Sequence, residues 1–138
     1  MKKVFFQGSF DILNAGHVRA IKRARGLGDY LVIALNTDEL YKKYKNHLGV
    51  IIPFEQRKEI LEGLKWVDEV IPISTFSPLR ELQELDIDVY VLTKEWLKTK
   101  EKELAYMKEK GGQISWSPRY ADIMCCTDIR RRIREREE

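Results

Sequence analysis

Val4-Phe5-Phe6-Gln7-Gly8-Ser9-Phe10-Asp11-Ile12-Leu13-Asn14-Ala15-Gly16-His17-Val18 is the stretch that decides the fold. Three apolar residues of strand type run towards Gly8. From Gly16 onward the apolar positions change to helical spacing, with Val18, Ile21 and Ala24 on one face and Lys22, Arg23 and Arg25 outside. A strand therefore feeds a helix through a turn. Gly26 and Gly28 stop that helix, and Tyr30-Leu31-Val32-Ile33-Ala34-Leu35 is a continuous apolar run, as expected of a strand covered on both faces. The result is a βαβ unit.

The rest of the chain repeats the alternation. Asn36-Thr37-Asp38 offers N-cap chemistry for a short polar helix through Tyr44, and residues 45–52 read as a loop before Pro53 opens a helix to about Lys65. Val67 to Ile71 is a third strand. Ser77-Pro78 starts a helix carrying Leu79, Leu82 and Leu85, Val89 to Leu92 is a fourth strand, and Lys98 to Lys110 is a charged helix closed by Gly111-Gly112. Ile114 to Trp116 is a fifth strand, and Thr127 can cap a last helix. Such a sequence predicts an α/β, Rossmann-like three-layer domain around a five-stranded parallel sheet, spanning residues 1–138 as one unit. Ligands of these sheets bind beyond the carboxyl ends of the strands, where the strand order reverses.

Composition narrows the function classes. The chain has 138 residues, 43% hydrophobic and 34% charged, which suits one soluble globular domain. No apolar run approaches the roughly 18 residues a membrane span needs, and the first residues reach Gln7 too early for a signal-peptide core, so the expected location is cytoplasmic. Cys125 and Cys126 are neighbours, giving neither a distant staple nor a zinc spacing, and no metal cage is expected. The net charge is +3. Arg130, Arg131, Arg132, Arg134 and Arg136 read as a solvated helix face, without the interleaved aromatics of a nucleic-acid site.

The first loop carries the chemistry. Gly8 follows a strand and Gly16 and His17 open a helix, so backbone amides and the positive end of the helix dipole can meet an anion there. Neither GxxxxGK[ST] nor GxGxxG is present. His17 can donate to a phosphate oxygen, and a neighbouring triphosphate would favour its cationic form.

Gly8-Ser9-Phe10-Asp11-Ile12-Leu13-Asn14-Ala15-Gly16-His17 resembles the G-[TS]-F-D-x-x-H-x-G-H segment of the cytidylyltransferase family, within the HxGH nucleotidyltransferases. Ala24-Arg25-Gly26-Leu27-Gly28-Asp29-Tyr30, Asn36-Thr37-Asp38-Glu39, Glu55-Gln56-Arg57-Lys58, Trp66 to Pro72 and Ile87 to Val91 extend the likeness to the glycerol-3-phosphate cytidylyltransferases. The resemblance implies CTP-dependent transfer to a phosphorylated alcohol with release of pyrophosphate, Mg²⁺ accompanying the nucleotide, and a homodimer. It implies catalytic roles for Asn14, His17, Lys45 and Arg119. It implies nucleotide binding by Gly8, Ser9, Phe10, Gly16, Cys125, Cys126 and Thr127 as well, and substrate binding by Asp11, Asp38 and Arg57. Lys42 and Lys43 compete with Lys45 for the phosphate-binding lysine.

Three features depart from the pattern. Asn14 stands where the family has its first histidine and can donate but never carry charge. Cys125 and Cys126 replace hydroxyl residues, and read as a small buried pair. Leu92-Thr93-Lys94-Glu95-Trp96 lacks the family's glycine and acidic pair in a loop that lies near the nucleotide base. An adenylyltransferase on the same scaffold, and a non-catalytic nucleotide- or RNA-binding protein, remain the alternatives.

Overall fold

A computed structural model describes residues 1–44, 49–120 and 122–137. Five strands, β1 (Lys3–Gly8), β2 (Tyr30–Asn36), β3 (Glu69–Ile73), β4 (Val89–Leu92) and β5 (Gln113–Trp116), form one sheet in the order β3-β2-β1-β4-β5. Every pairing is parallel. Among the described residues six α-helices accompany them: α1 (Ala15–Arg25), α2 (Asp38–Tyr44), α3 (Phe54–Glu62), α4 (Leu79–Glu84), α5 (Glu101–Glu109) and, after the last strand, α6 (Cys126–Glu135). None of the described helices is long and apolar enough to cross a membrane.

Strand alternation divides the core into two layers. Val4 and Phe6 point to one face, where Leu31, Ile33 and Leu35 meet Ile21 and Ala24 of α1 and Leu61 of α3. Phe5 points to the other, where Val32, Ala34, Tyr90 and Leu92 meet Leu82 of α4 and Met107 of α5. Both faces are covered, which is why β2 reads as an unbroken apolar run. Fully burying one such aliphatic side chain is worth about 1.5–3 kcal/mol, so the two layers supply most of the driving force.

Element ends differ from the sequence reading where tertiary bonds decide them. β3 begins at Glu69 rather than Val67, because Asp68 ties back to β2: Leu31 N donates to its Oδ2 at 2.7 Å, and Arg25 Nε lies 2.9 Å from the same oxygen. Pro72 is tolerated inside β3 because that strand is an edge of the sheet. α3 stops at Glu62, with Gly63 as its cap, short of Lys65. The charged helix expected from Lys98 divides into a 3-10 turn, Lys94–Thr99, and α5, so Lys100 sits at the joint. The last helix takes Cys125 as its N-cap, and Thr127 is an exposed residue of its first turn.

The strand order places the reversal between β1 and β4. The chain steps outward from β1 through β2 to β3, then crosses back to β4 and β5. The carboxyl ends of β1 and β4 therefore diverge around a crevice, and the loop after Gly8 overhangs it.

Candidate active site

A cleft of about 290 Å³ opens at that reversal. Gln7, Gly8, Ser9, Phe10, His17 and Asn36 line the β1–β2 side, Tyr90, Leu92, Thr93, Glu95 and Lys100 come from β4 and the segment after it, and Phe76 comes from the segment after β3.

The loop on the β1 side is wound tightly. Phe10 and Ile12 both take positive φ, 49° and 51°, a region that costs a non-glycine residue energy and a β-branched one most. A side chain at Gly8 would put its Cβ 2.9 Å from the Phe10 ring, so only glycine lets that ring fold back over the strand end. Such a conformation persists only where neighbours hold it.

Two charged groups do the holding. Arg57, 1% exposed, donates through Nη1 to Ser9 O (2.7 Å) and Asn36 O (3.0 Å), through Nε to Ile52 O (2.8 Å), and through Nη2 to Asp38 Oδ1 (2.6 Å). Asp11, 3% exposed, accepts from Ile51 N (2.8 Å) and Ile52 N (2.9 Å), and from Arg130 Nη2 (2.8 Å). Of the residues expected to bind substrate, Asp11 and Arg57 are buried and spend these bonds inside the protein, joining the loop to α2, α3 and α6, while the Asp38 side chain is 48% exposed. Arg130 also donates to the Tyr41 hydroxyl at 2.9 Å, so the arginine-rich helix is anchored here and is not merely a solvated face.

His17 occupies the first turn of α1, with its ring edge-on to Phe10 at 5.6 Å. Asn14 N donates to its Nδ1 at 3.2 Å. A neutral imidazole that accepts at Nδ1 carries its hydrogen on Nε2, which lies 3.9 Å from Cys126 Sγ. Burial pushes the imidazole's pKa below its usual value, against the smaller opposing pull of the Asp11 charge. His17 is therefore a neutral donor at pH 7 before an anion arrives.

Asn14 is engaged as the helix cap. Its Oδ1 accepts from Gly16 N at 3.0 Å, and its Nδ2 donates to Ile12 O at 3.1 Å and to Cys126 Sγ at 3.6 Å. Gly16 is thus held at the helix end beside the cleft. Cys126 donates to Asp11 O at 2.8 Å, and its Sγ lies 3.9 Å from His17 Nε2. Burial, with the Asp11 charge, raises its pKa, so the thiol stays protonated. Cys125 is exposed and Cys126 half-buried, which corrects the expected buried pair.

Arg119 does not enter the cleft. Its Nη2 lies 2.8 Å from Glu95 Oε2 at the rim, and its side chain is 84% exposed. Lys45 lies outside the described residues. Of the expected nucleotide-binding set, Gly8, Ser9, Phe10 and His17 line the cleft, Gly16 opens the helix next to His17, Cys126 lies against Asp11 and His17, and Cys125 and Thr127 are exposed.

Sequence reasoning missed a polar thread and a buried cation. Gln7 Nε2 donates to Asn36 Oδ1 (2.9 Å), and Asn36 Nδ2 donates to Ser9 Oγ (3.0 Å), linking the ends of β1 and β2 to the loop. A polar residue closing an apolar parallel strand marks a ligand-binding edge, so Asn36 was open to detection. Lys100 was not, because it sits among Lys98, Lys102 and Glu101 with nothing to distinguish it.

Comparison with known proteins finds relatives of the same fold and family. The family described as Cytidylyltransferase-like matches residues 5–131. The chain is 38% identical over 111 residues to Glycerol-3-phosphate cytidylyltransferase of Staphylococcus aureus, covering 80% of each protein. It is 42% identical over 99 residues to the enzyme of the same name from Bacillus subtilis, covering 70% of this chain and 74% of that one. Among solved structures, a lipopolysaccharide core biosynthesis protein from Thermoplasma volcanium superposes with a TM-score of 0.73 at 28% identity, over 87% of this chain and 98% of that one.

Proposed function

The chain belongs to the cytidylyltransferase-like family, and from that footing we propose that it transfers the cytidylyl group of CTP to glycerol 3-phosphate or a similar phosphorylated alcohol. An oxygen of the acceptor's phosphate attacks the α-phosphorus, a new P–O bond forms, and the bond to the β-phosphate bridging oxygen breaks. The electron pair leaves with pyrophosphate. No covalent intermediate with the protein is required.

The observation that carries this reading is the wound loop at the strand-order reversal, with His17 lining the cleft beside it. Charge migrates onto phosphate oxygens in the transition state, and fixed donors in a partly dry cleft stabilise it without reorganising. A triphosphate against Nε2 also raises the imidazole's affinity for a proton, so the neutral donor of the ligand-free protein can become a cation when needed. The bonds from Arg57 and Asp11 hold the loop in place, which is the positioning such a reaction needs.

Mg²⁺ fits only as a passenger on the nucleotide. Among the described residues no cluster of three histidines, cysteines or carboxylates converges, and the Asp11 carboxylate already serves two amides and a guanidinium. The triphosphate's own oxygens would hold the ion, which would neutralise charge on the leaving pyrophosphate. The reading also includes a homodimer in the cytoplasm, on the strength of the family likeness.

Pyrophosphate release measured with CTP, ATP, UTP and GTP across a panel of polyol and sugar phosphates tests the proposal. Preference for CTP with a phosphorylated alcohol is expected. Equal or better use of ATP refutes the nucleotide assignment and favours the adenylyltransferase suggested by the altered Thr93-Lys94-Glu95 loop. Binding without turnover refutes the enzyme itself.

A further inference from the structure

Two anions must share the cleft if a nucleotide is to be joined to a phosphate monoester, and the β1 side accounts for one of them. The loop at residues 8–17 with its helix end and imidazole suits the triphosphate. The cation expected from sequence to serve the acceptor, Arg57, has its bonds inside the protein. On the opposite wall stands Lys100, 5% exposed at the start of α5. It is the only lysine or arginine among the described residues that line the cleft.

A buried ammonium is costly unless an opposite charge answers it. Glu103, one turn along α5 and 2% exposed, is an opposite charge that acts on it, and the Ser77 hydroxyl at the entry to α4 donates to its Oε1. Lys100 lines the cleft together with Phe76, Tyr90 and Thr93. Burial lowers the lysine's pKa, with Glu103 opposing the shift. An ammonium in that low-dielectric wall interacts with a phosphate dianion more strongly than a surface lysine could.

We propose that Lys100 binds the phosphate of the acceptor, with Glu103, held by Ser77, fixing the ammonium in the cleft wall. This rests on the reading that the acceptor is a phosphorylated alcohol. The ligand class it names is a phosphate monoester, and the nucleotide is the competing occupant.

The test compares Lys100→Met, Lys100→Arg and the double variant Lys100→Met/Glu103→Gln, which removes both buried charges together and guards against a single variant that fails to fold. Loss of one charged hydrogen bond should raise the KM for glycerol 3-phosphate by about 10- to 100-fold. The KM for CTP should stay within about two-fold, with Lys100→Arg recovering part of the loss. A rise confined to CTP, equal rises for both substrates, or no change overturns the assignment. If the wild-type chain uses another nucleotide or polyol phosphate, the same comparison on that pair decides. If it transfers to no phosphorylated acceptor, the functional reading fails, and calorimetric titration of glycerol 3-phosphate into the wild-type and double-variant proteins still judges Lys100. Equal affinities there overturn it, and weaker binding by the variant upholds it.

Discussion

Replacing Arg57 with methionine should cost the protein a large part of its stability, and the structure says how much. Methionine fills a similar length of stem but supplies no donor. Ser9 O, Asn36 O and Ile52 O each lose a charged hydrogen bond of 2.7–3.0 Å, in a place where the guanidinium is 1% exposed. Leaving a buried carbonyl unanswered costs about 1–3 kcal/mol, and water entering the vacated space offsets part of it. The fourth partner matters less: the Asp38 side chain is 48% exposed, so that ion pair contributes about 1 kcal/mol or less. A loss of about 3–5 kcal/mol follows, against a total of roughly 5–15 kcal/mol for a domain. Urea denaturation measures it, and the melting temperature should fall by about 10–20 °C. The KM for the nucleotide should rise as well, because Ser9 and Asn36 no longer hold the loop beside the cleft. A loss under about 1 kcal/mol would refute the claim that this arginine holds the phosphate loop.

Three further outcomes test the site. Asn14→Ala removes the cap on Gly16 N and should cost about 1 kcal/mol, whereas Asn14→Ser should cost less, as thermal melts can measure. His17→Gln should lower kcat by about a hundredfold or more. It should also change the pH dependence of stability: the unfolded chain takes up His17's proton near pH 6.5 while the folded one resists, so the wild type carries this stability above about pH 6.5 and loses it on acidification. The melting-temperature gap between wild type and variant should therefore move as pH falls from about 8 to 5.5, and a constant gap would contradict the buried neutral imidazole. Arg130→Ala strands the Asp11 carboxylate at 3% exposure and should cost about 2–3 kcal/mol, with faster hydrogen exchange at the Ile51 and Ile52 amides.

Much of the fold was legible in the sequence because it depends on local pattern. Apolar runs bounded by glycine and proline give strands, the change of spacing at Gly16 gives a helix, and their alternation gives a parallel sheet with both faces covered. The motif from Gly8 to His17 was likewise legible, since Gly8 and Gly16 and the position of His17 are fixed by backbone geometry within one short loop.

What local pattern could not decide was the use of charge. Arg57, Asp11 and Arg130 look like any surface residues in a chain that is 34% charged. Only the tertiary structure turns Arg57 under the loop and brings Arg130 across 119 positions to Asp11. It also separates Lys100, sunk in the cleft wall, from Lys98 and Lys102 beside it, which are exposed. The physical reason is that burial and charge pairing are set by contacts between distant elements. A residue's type states which bonds it can make, and the packing of strands and helices from both ends of the chain settles which of them it does make.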